Sequence, residues 1–286
     1  MKLTLNDFFQ LTKIRLALSV VFSSLAGYFL AAESISIRSI LLLFVGGYAM
    51  VGASNTFNQL IERERDSLMN RTSDRPLPGK RMTPSQVLFI GIFLSMLGIG
   101  TLYLINLKTA IIGAISICLY VFTYTPLKIK TPLSVFVGAI PGAIPYMLGW
   151  VAYTNSFGIE PGILFLFQFF WQFPHFWALA WMFDKDYKKA GFKMLPSGKT
   201  DNASAFQVVF YSFWTVAISL LPLTKYTGTL NLSAFGGVLV LTCGLGLLFF
   251  AFRLMKERTN KSAKHLMYSS IVYLTSIQII YVLDKF

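Results

Sequence analysis

Asn55, Asn58, Glu62 and Asp66 follow one another at spacings of three, four and four residues. On a helix that spacing stacks them in a single stripe. Oxygen ligands arranged this way suit Mg²⁺, which takes one or two carboxylates and completes its shell with water and substrate phosphates. Arg71 and Arg75 come next, then Lys80 and Arg81, and guanidinium groups grip phosphate oxygens two at a time. Metal ligands beside phosphate ligands describe a diphosphate site. Ten charged residues, four of them acidic, fall between Asn55 and Arg81, in a chain that is only 13% charged. A solvated loop whose acids merely neutralise its arginines would carry the same charges, so spacing alone leaves both readings open.

A second charged stretch, FDKDYKKAGFKMLPSGK, runs from Phe183 to Lys199. Like the first, it descends from an apolar run into acids, then reaches a Leu-Pro turn, a glycine and a lysine. His175 precedes Asp186 by 11 residues, as Asn55 precedes Asp66. Eleven residues is about three helical turns, so each pair shares a helix face. His175 stands among aromatic residues in FQFFWQFPHFWALAWMFDKDY, and an ionisable side chain inside an apolar run is a functional candidate. A hydrogen bond to a neighbouring helix would equally account for it. Phe173, Phe176 and Trp177 can wall a pocket for an apolar ligand or face a carbocation, or simply pack. Between the two stretches, Tyr124 and Lys128 close one apolar run, and Gly138, Ala139, Gly142 and Ala143 allow close helix contact in the next. Pro141 and Pro145 free backbone carbonyls, which is tolerable only against protein or a cavity.

The elements that position these residues follow from composition. The chain has 286 residues, 55% hydrophobic and 16% aromatic, with a mean hydropathy of +0.61. That is too apolar for a soluble domain. Nine runs reach the ~20 residues a span needs: 16–32, 39–57, 86–105, 110–127, 133–153, 162–182, 205–223, 231–252 and 266–283. None alternates as barrel strands do. The expectation is an all-α integral membrane protein, one domain over 1–286, with two pseudo-repeated four-helix halves plus a ninth helix. The net charge of +13 does not indicate nucleic acid, because the basic residues lie between apolar runs, where a lipid bilayer and membrane orientation explain them. Of 25 Lys and Arg, 21 fall on the side of the N-terminus and the loops after runs 2, 4, 6 and 8. Those loops are expected in the cytoplasm. The two cysteines lie inside apolar runs, which argues against a disulfide scaffold or a CxxC metal site, and the start of the chain does not read as a signal peptide.

The pattern Asn58-x3-Glu62-x3-Asp66, followed by Met69-x-Arg71-Thr72-x2-Arg75-Pro76-Leu77, resembles the first acidic motif of the intramembrane, UbiA-type prenyltransferases. LTKIR, YTPLK, GAIPGAIPYMLGW, WQFPHFWALAW and DYKKAG…MLP match in the same order and cover most of the chain. WQFPHFWALAW followed by DY is most similar to the haem-modifying branch of that family. The resemblance implies transfer of the farnesyl group of farnesyl diphosphate to a vinyl group of haem B, giving haem O, with Mg²⁺ as cofactor. By matched position Asn58, Glu62, Asp66 and Asp186 hold the metal and its diphosphate. Lys13, Arg71, Arg75 and Lys128, with Tyr124, bind the diphosphate. His175 and Trp177 are expected toward the haem. A location in the cytoplasmic (inner) membrane and a haem A synthase as docking partner belong to the same expectation. Two departures stand out: Glu62 replaces the commoner aspartate, and the second motif, usually DxxxD, has Ala190 four residues after Asp186. A quinone-ring acceptor would keep the acids without explaining WQFPHFWALAW. A transporter would spread ionisable groups over several mid-membrane positions, whereas here the acids gather at one end.

Overall fold

In lipid a backbone can satisfy its own hydrogen bonds only as a helix or a closed barrel, and these runs choose the helix. The computed structural model describes residues 4–286, which contain helices and no strand. A short helix α1 (Leu5–Thr12) precedes α2 (Ile14–Ala31), α3 (Ile37–Asp66), α4 (Pro84–Tyr103) and α5 (Leu107–Cys118). A π-helical turn, Leu119–Tyr124, joins α5 to α6 (Thr125–Leu127), so that they form one span. Then come α7 (Ser134–Thr154), α8 (Ile159–Met182), α9 (Asp184–Lys189), α10 (Asn202–Ser219), α11 (Ala234–Glu257) and α12 (Asn260–Lys285). Among the described residues, nine helices are long and apolar enough to cross a bilayer, at the nine places the sequence indicates.

The boundaries move where helix-forming polar residues outlast the apolar run. The second run ends at 57, yet α3 continues to Asp66, 30 residues in all, or about 45 Å. Its last turns leave the apolar zone as helix, which keeps the acidic stripe continuous. The last helix starts at Asn260 rather than 266, because Thr259 caps it in a reciprocal box with Ser262.

Two large apolar cores form. One gathers α2, α3, α4, α5 and α7, the other α2, α7, α8, α10, α11 and α12, so α2 and α7 are shared; a small third cluster packs Leu11 of α1 against Leu77, Met82 and Val87. Close approach at α7 depends on glycine. A Cβ on Gly27 would collide with the Tyr146 carbonyl, and one on Gly149 with the Ser24 carbonyl, so α2 and α7 touch backbone to backbone. Gly138 likewise makes room for the Tyr124 ring. Pro141 and Pro145 lie inside an unbroken helix. Pro145 has no N–H to give the Pro141 carbonyl, which instead lies 3.4 Å from the Ser116 hydroxyl. Deeper in, Gln278 donates to Ser23 Oγ at 2.9 Å and ties α12 to α2.

Candidate active site

At the end of the bundle where α3 projects, side chains that a helix would normally leave in water are enclosed. Asn58, Glu62 and Asp66 are 2%, 5% and 1% exposed. The stripe divides by task. Asn55 donates to the Thr12 carbonyl at 3.2 Å, and Gln59 to the Leu11 carbonyl at 2.8 Å. Those two bonds fasten the α1–α2 junction to α3, and Lys13 is the residue at that junction. Its φ of 51° is left-handed, a costly conformation for a residue with a Cβ. Asn55 is therefore part of the scaffold rather than of the site.

Asn58, Glu62 and Asp66 face the enclosed space. Asn58 Nδ2 donates to Thr125 Oγ1 at 3.2 Å, which leaves its carbonyl oxygen free of protein donors among the described residues. Glu62 Oε1 lies 2.7 Å from Lys128 Nζ, an ion pair without the alignment of a hydrogen bond. Asp66 Oδ2 accepts from Arg75 Nη1 at 2.7 Å, the Asp66 carbonyl accepts from Thr72 Oγ1, and its Oδ1 is buried without a partner. A buried acceptor without a donor is costly and uncommon. That Asp66 oxygen, with the Glu62 carboxylate and the free Asn58 amide oxygen beside it, suits a divalent cation. Among the described residues no three Asp, Glu, His or Cys side chains converge as a ready metal cage.

The cations complete the picture. Lys128 sits over the Tyr124 ring at 4.7 Å. Burial pulls its pKa down, but Glu62 beside it and the Tyr120 hydroxyl outweigh that, and the net direction is up. Lys13 makes no ion pair among the described residues. Desolvation first, then the charges of Arg75 and Lys128, lower its pKa to about 7, against an opposing pull from Glu62 and Asp66. An unpaired, partly buried lysine held in a strained turn beside two other cations is a place for an anion. Arg75 is paired with Asp66, while Arg71 is exposed and lies 4.8 Å over the Phe183 ring. Arg81 is spent elsewhere: it binds Asp7 at 2.7 Å and Asp74 at 2.9 Å, locking α1 to the loop. Lys80 points to solvent.

The second charged stretch closes onto the first. Arg65 Nη1 donates to the Ala190 carbonyl at 2.7 Å, and the Lys193 N–H to the Lys128 carbonyl at 2.7 Å. Ala190, the residue that stands where the second motif usually has an acid, thus meets the first loop through its backbone. Asp186 lies on α9 between these contacts, 3.6 Å from Lys189, and Asp184 pairs with Lys188 at 2.6 Å. A cavity of about 220 Å³ opens there, between α9 and the loop from Gly191 to Gly198. A smaller apolar cavity of about 50 Å³ lies below the stripe, lined by Ser24, Met50, Ser54, Ser116 and Pro145.

His175 and Trp177 part company. His175 is half-buried and faces α12, where its Nδ1 lies 2.9 Å from Ser270 Oγ. Trp177 packs against Phe173 and against Tyr211 of α10. Two residues apart on a helix is about 200° of rotation, so the structure puts Trp177 in the α8–α10 core. Thr125, Thr72 and Ser270 are partners that sequence reasoning did not single out; Thr72 and Thr125 lay within quoted motifs, Ser270 in none.

The UbiA prenyltransferase family model matches residues 20–277. The chain belongs to that family. A UbiA relative named protoheme IX farnesyltransferase, from Christiangramia forsetii, is 57% identical over 282 residues, covering 99% of this chain and 94% of the relative. Among solved structures the UbiA fold of this chain is similar to a digeranylgeranylglyceryl phosphate synthase, with a TM-score of 0.79 at 18% identity over 98% of each chain. It is also similar to a UbiA homolog from Archaeoglobus fulgidus bound to DMAPP and Mg²⁺, with a TM-score of 0.69 at 15% identity over 96% of this chain and 99% of that one. At such identities the structures speak for the fold, and nine spans in this family make the chain a multi-pass membrane protein.

Proposed function

We propose that this chain transfers the farnesyl group of farnesyl diphosphate to a vinyl carbon of haem B, giving haem O, at the cytoplasmic face of the membrane. One observation carries the donor half: the buried carboxylates of Glu62 and Asp66, with Asp66 Oδ1 left without a partner, face a ring of cations formed by Lys13, Arg75 and Lys128. The high-identity relative named protoheme IX farnesyltransferase supports the acceptor.

Breaking the C1–O bond of an allylic diphosphate leaves a carbocation and a diphosphate whose charge must be neutralised as it grows. Asn58, Glu62 and Asp66 would hold Mg²⁺, with Asp186 from the second loop, and the metal, when bound, draws charge from the leaving oxygens. Lys13 and Arg75 bind the same anion from the protein side. Lys128 balances Glu62 and would be free to reach a phosphate if a dication took over that charge. Arg71, on the exposed rim, guides the anion inward. The apolar cavity beneath Asn58 receives the start of the isoprenoid chain, and the nearby tyrosine rings of Tyr120 and Tyr124 offer their faces to developing positive charge. The contact between the two loops excludes bulk water from the first cation. Attack by the vinyl π electrons moves the positive charge onto the porphyrin side chain, where one water adds and one proton leaves.

The test is incubation of the purified protein in detergent with haem B, farnesyl diphosphate and Mg²⁺, with the product read by mass. The expected product carries both the farnesyl group and one added water. With an aromatic quinone precursor added as a competing acceptor, a farnesylated precursor beside unchanged haem B overturns the acceptor assignment.

A further inference from the structure

His175 is half-buried in α8, and its ring stacks on Trp171 with centroids 4.7 Å apart. Its Nδ1 lies 2.9 Å from Ser270 Oγ, a pair in which either atom could donate. The rest of the turn decides. Ser270 Oγ donates its only proton to the Met267 carbonyl at 2.7 Å, so towards His175 it can only accept. Nδ1 therefore carries the ring proton, and Nε2 carries the lone pair. The second ring nitrogen tends to follow the bond the first one makes. Trp171 Nε1 holds the same turn of α12 by donating to the Ser270 carbonyl at 2.6 Å, so Ser270 cannot rotate away cheaply.

Nε2 has no protein partner among the described residues, and it is not sealed inside the protein either. One turn earlier, Gln172 is 4% exposed, yet its amide makes no hydrogen bond among the described residues. Gln172 and His175 stand about one turn apart on α8. That stretch of α8 thus carries two unspent polar groups within the membrane zone.

We propose that Ser270 is a positioning residue, which fixes His175 as the Nδ1–H tautomer so that its Nε2 coordinates the iron of the porphyrin acceptor. This rests on the reading of haem as substrate. Imidazole nitrogen is a common axial ligand of haem iron, and an acceptor for the other ring N–H raises ligand basicity and fixes ring orientation. Ligation pins the macrocycle by its centre and leaves the peripheral vinyl free to meet the allylic cation. The depth agrees: His175 lies nine residues from Asp184, about 13 Å into the bundle from the charged loop.

The full-length protein in detergent is loaded with ferric haem B and followed by absorption and electron paramagnetic resonance. The parent protein is expected to show a nitrogen-ligated iron. His175→Ala loses that signature, and added imidazole restores it. Ser270→Ala keeps the ligand but weakens haem binding about ten-fold, the scale of one lost hydrogen bond, and Ser270→Thr recovers most of the affinity. Binding of farnesyl diphosphate stays unchanged in all three. A His175→Ala protein with the parent spectrum and affinity overturns the proposal, as does Ser270→Ala with unchanged affinity and spectrum. If the parent protein turns over haem B in either case, only the iron ligation falls. A parent protein that neither binds nor farnesylates haem B removes the acceptor reading itself.

Discussion

Asp66→Asn separates holding the fold from doing the chemistry. Asp66 is 1% exposed, with one oxygen 2.7 Å from Arg75 Nη1 and the other without a partner. Asparagine keeps the shape and one hydrogen bond to Arg75, but exchanges a charge-assisted bond for a neutral one, a loss of ~1–2 kcal/mol. In thermal unfolding that is a shift of a few degrees. Removing a carboxylate that serves a growing charge costs ~10²–10³ in turnover, or about 2.7–4 kcal/mol. The rate should therefore fall far more than stability does. Both are read on the same preparation, turnover by product mass and stability by the unfolding midpoint. Arg75→Ala, alone and combined with Asp66→Asn, completes the cycle. If Arg75 served only to hold Asp66, the double variant would equal Asp66→Asn. The expected result is a further rise in the KM for farnesyl diphosphate, because Arg75 also meets the anion. Near-normal turnover of Asp66→Asn at saturating Mg²⁺ would refute the metal role of Asp66.

The other expectations are independent of that cycle. With Cys118 and Cys243 replaced, Ser67→Cys, at the exposed C-terminal cap of α3, should react with an impermeant thiol reagent only in inverted vesicles, and labelling of intact cells reverses the orientation. Lys13 has its pKa lowered to about 7 in the folded protein, below the ordinary 10.5. The unfolded chain therefore binds more protons between those values, and stability rises with pH across that window. Diphosphate restores the proton, so binding at pH 8 should take up nearly one proton and the KM should climb above pH 7. Calorimetry in two buffers of different ionisation enthalpy that finds no uptake, or the same uptake in Lys13→Met, excludes this. Gly149→Ala should destabilise the protein by more than the ~1–3 kcal/mol typical of overpacking, read as a lowered unfolding midpoint, because the obstructing atom is the Ser24 carbonyl of α2 rather than a side chain that can turn.

The spans were legible because length and apolarity suffice to specify them. The stripe was legible because Asn58, Glu62 and Asp66 obey the helical period that the preceding apolar run had already set. Long-range partnerships were not. Arg81 resembles its neighbours as a phosphate ligand until Asp7, 74 residues earlier, is seen to hold it. His175 and Trp177 belong to one quoted motif, yet two residues on a helix point to nearly opposite sides. Ser270 carries no signal at all, since a serine in an apolar helix commonly bonds its own backbone. The acidic loop's contact through the Ala190 carbonyl was invisible for a related reason: a backbone atom leaves no mark in composition.

The π turn from Leu119 to Tyr124 sets a constraint of a different kind, on the length of the chain. Pro126 gives no N–H and would crowd the carbonyl four residues back in a regular helix. The wider turn relieves this, with Thr125 donating both its N–H and, at 2.8 Å, its hydroxyl to the Tyr120 carbonyl. One residue more than a regular helix needs is accommodated there, and it rotates everything beyond it by about 100°. Tyr124, Thr125 and Lys128 reach the acidic stripe because of that rotation. Phe122, 75% exposed on the outer surface, can change its side chain freely, yet its place in the count cannot be given up. Losing it would leave a helix that still spans the membrane while carrying Lys128 away from Glu62. In this segment substitutions are cheap and single-residue deletions are not, which is the reverse of what an exposed aromatic position would suggest.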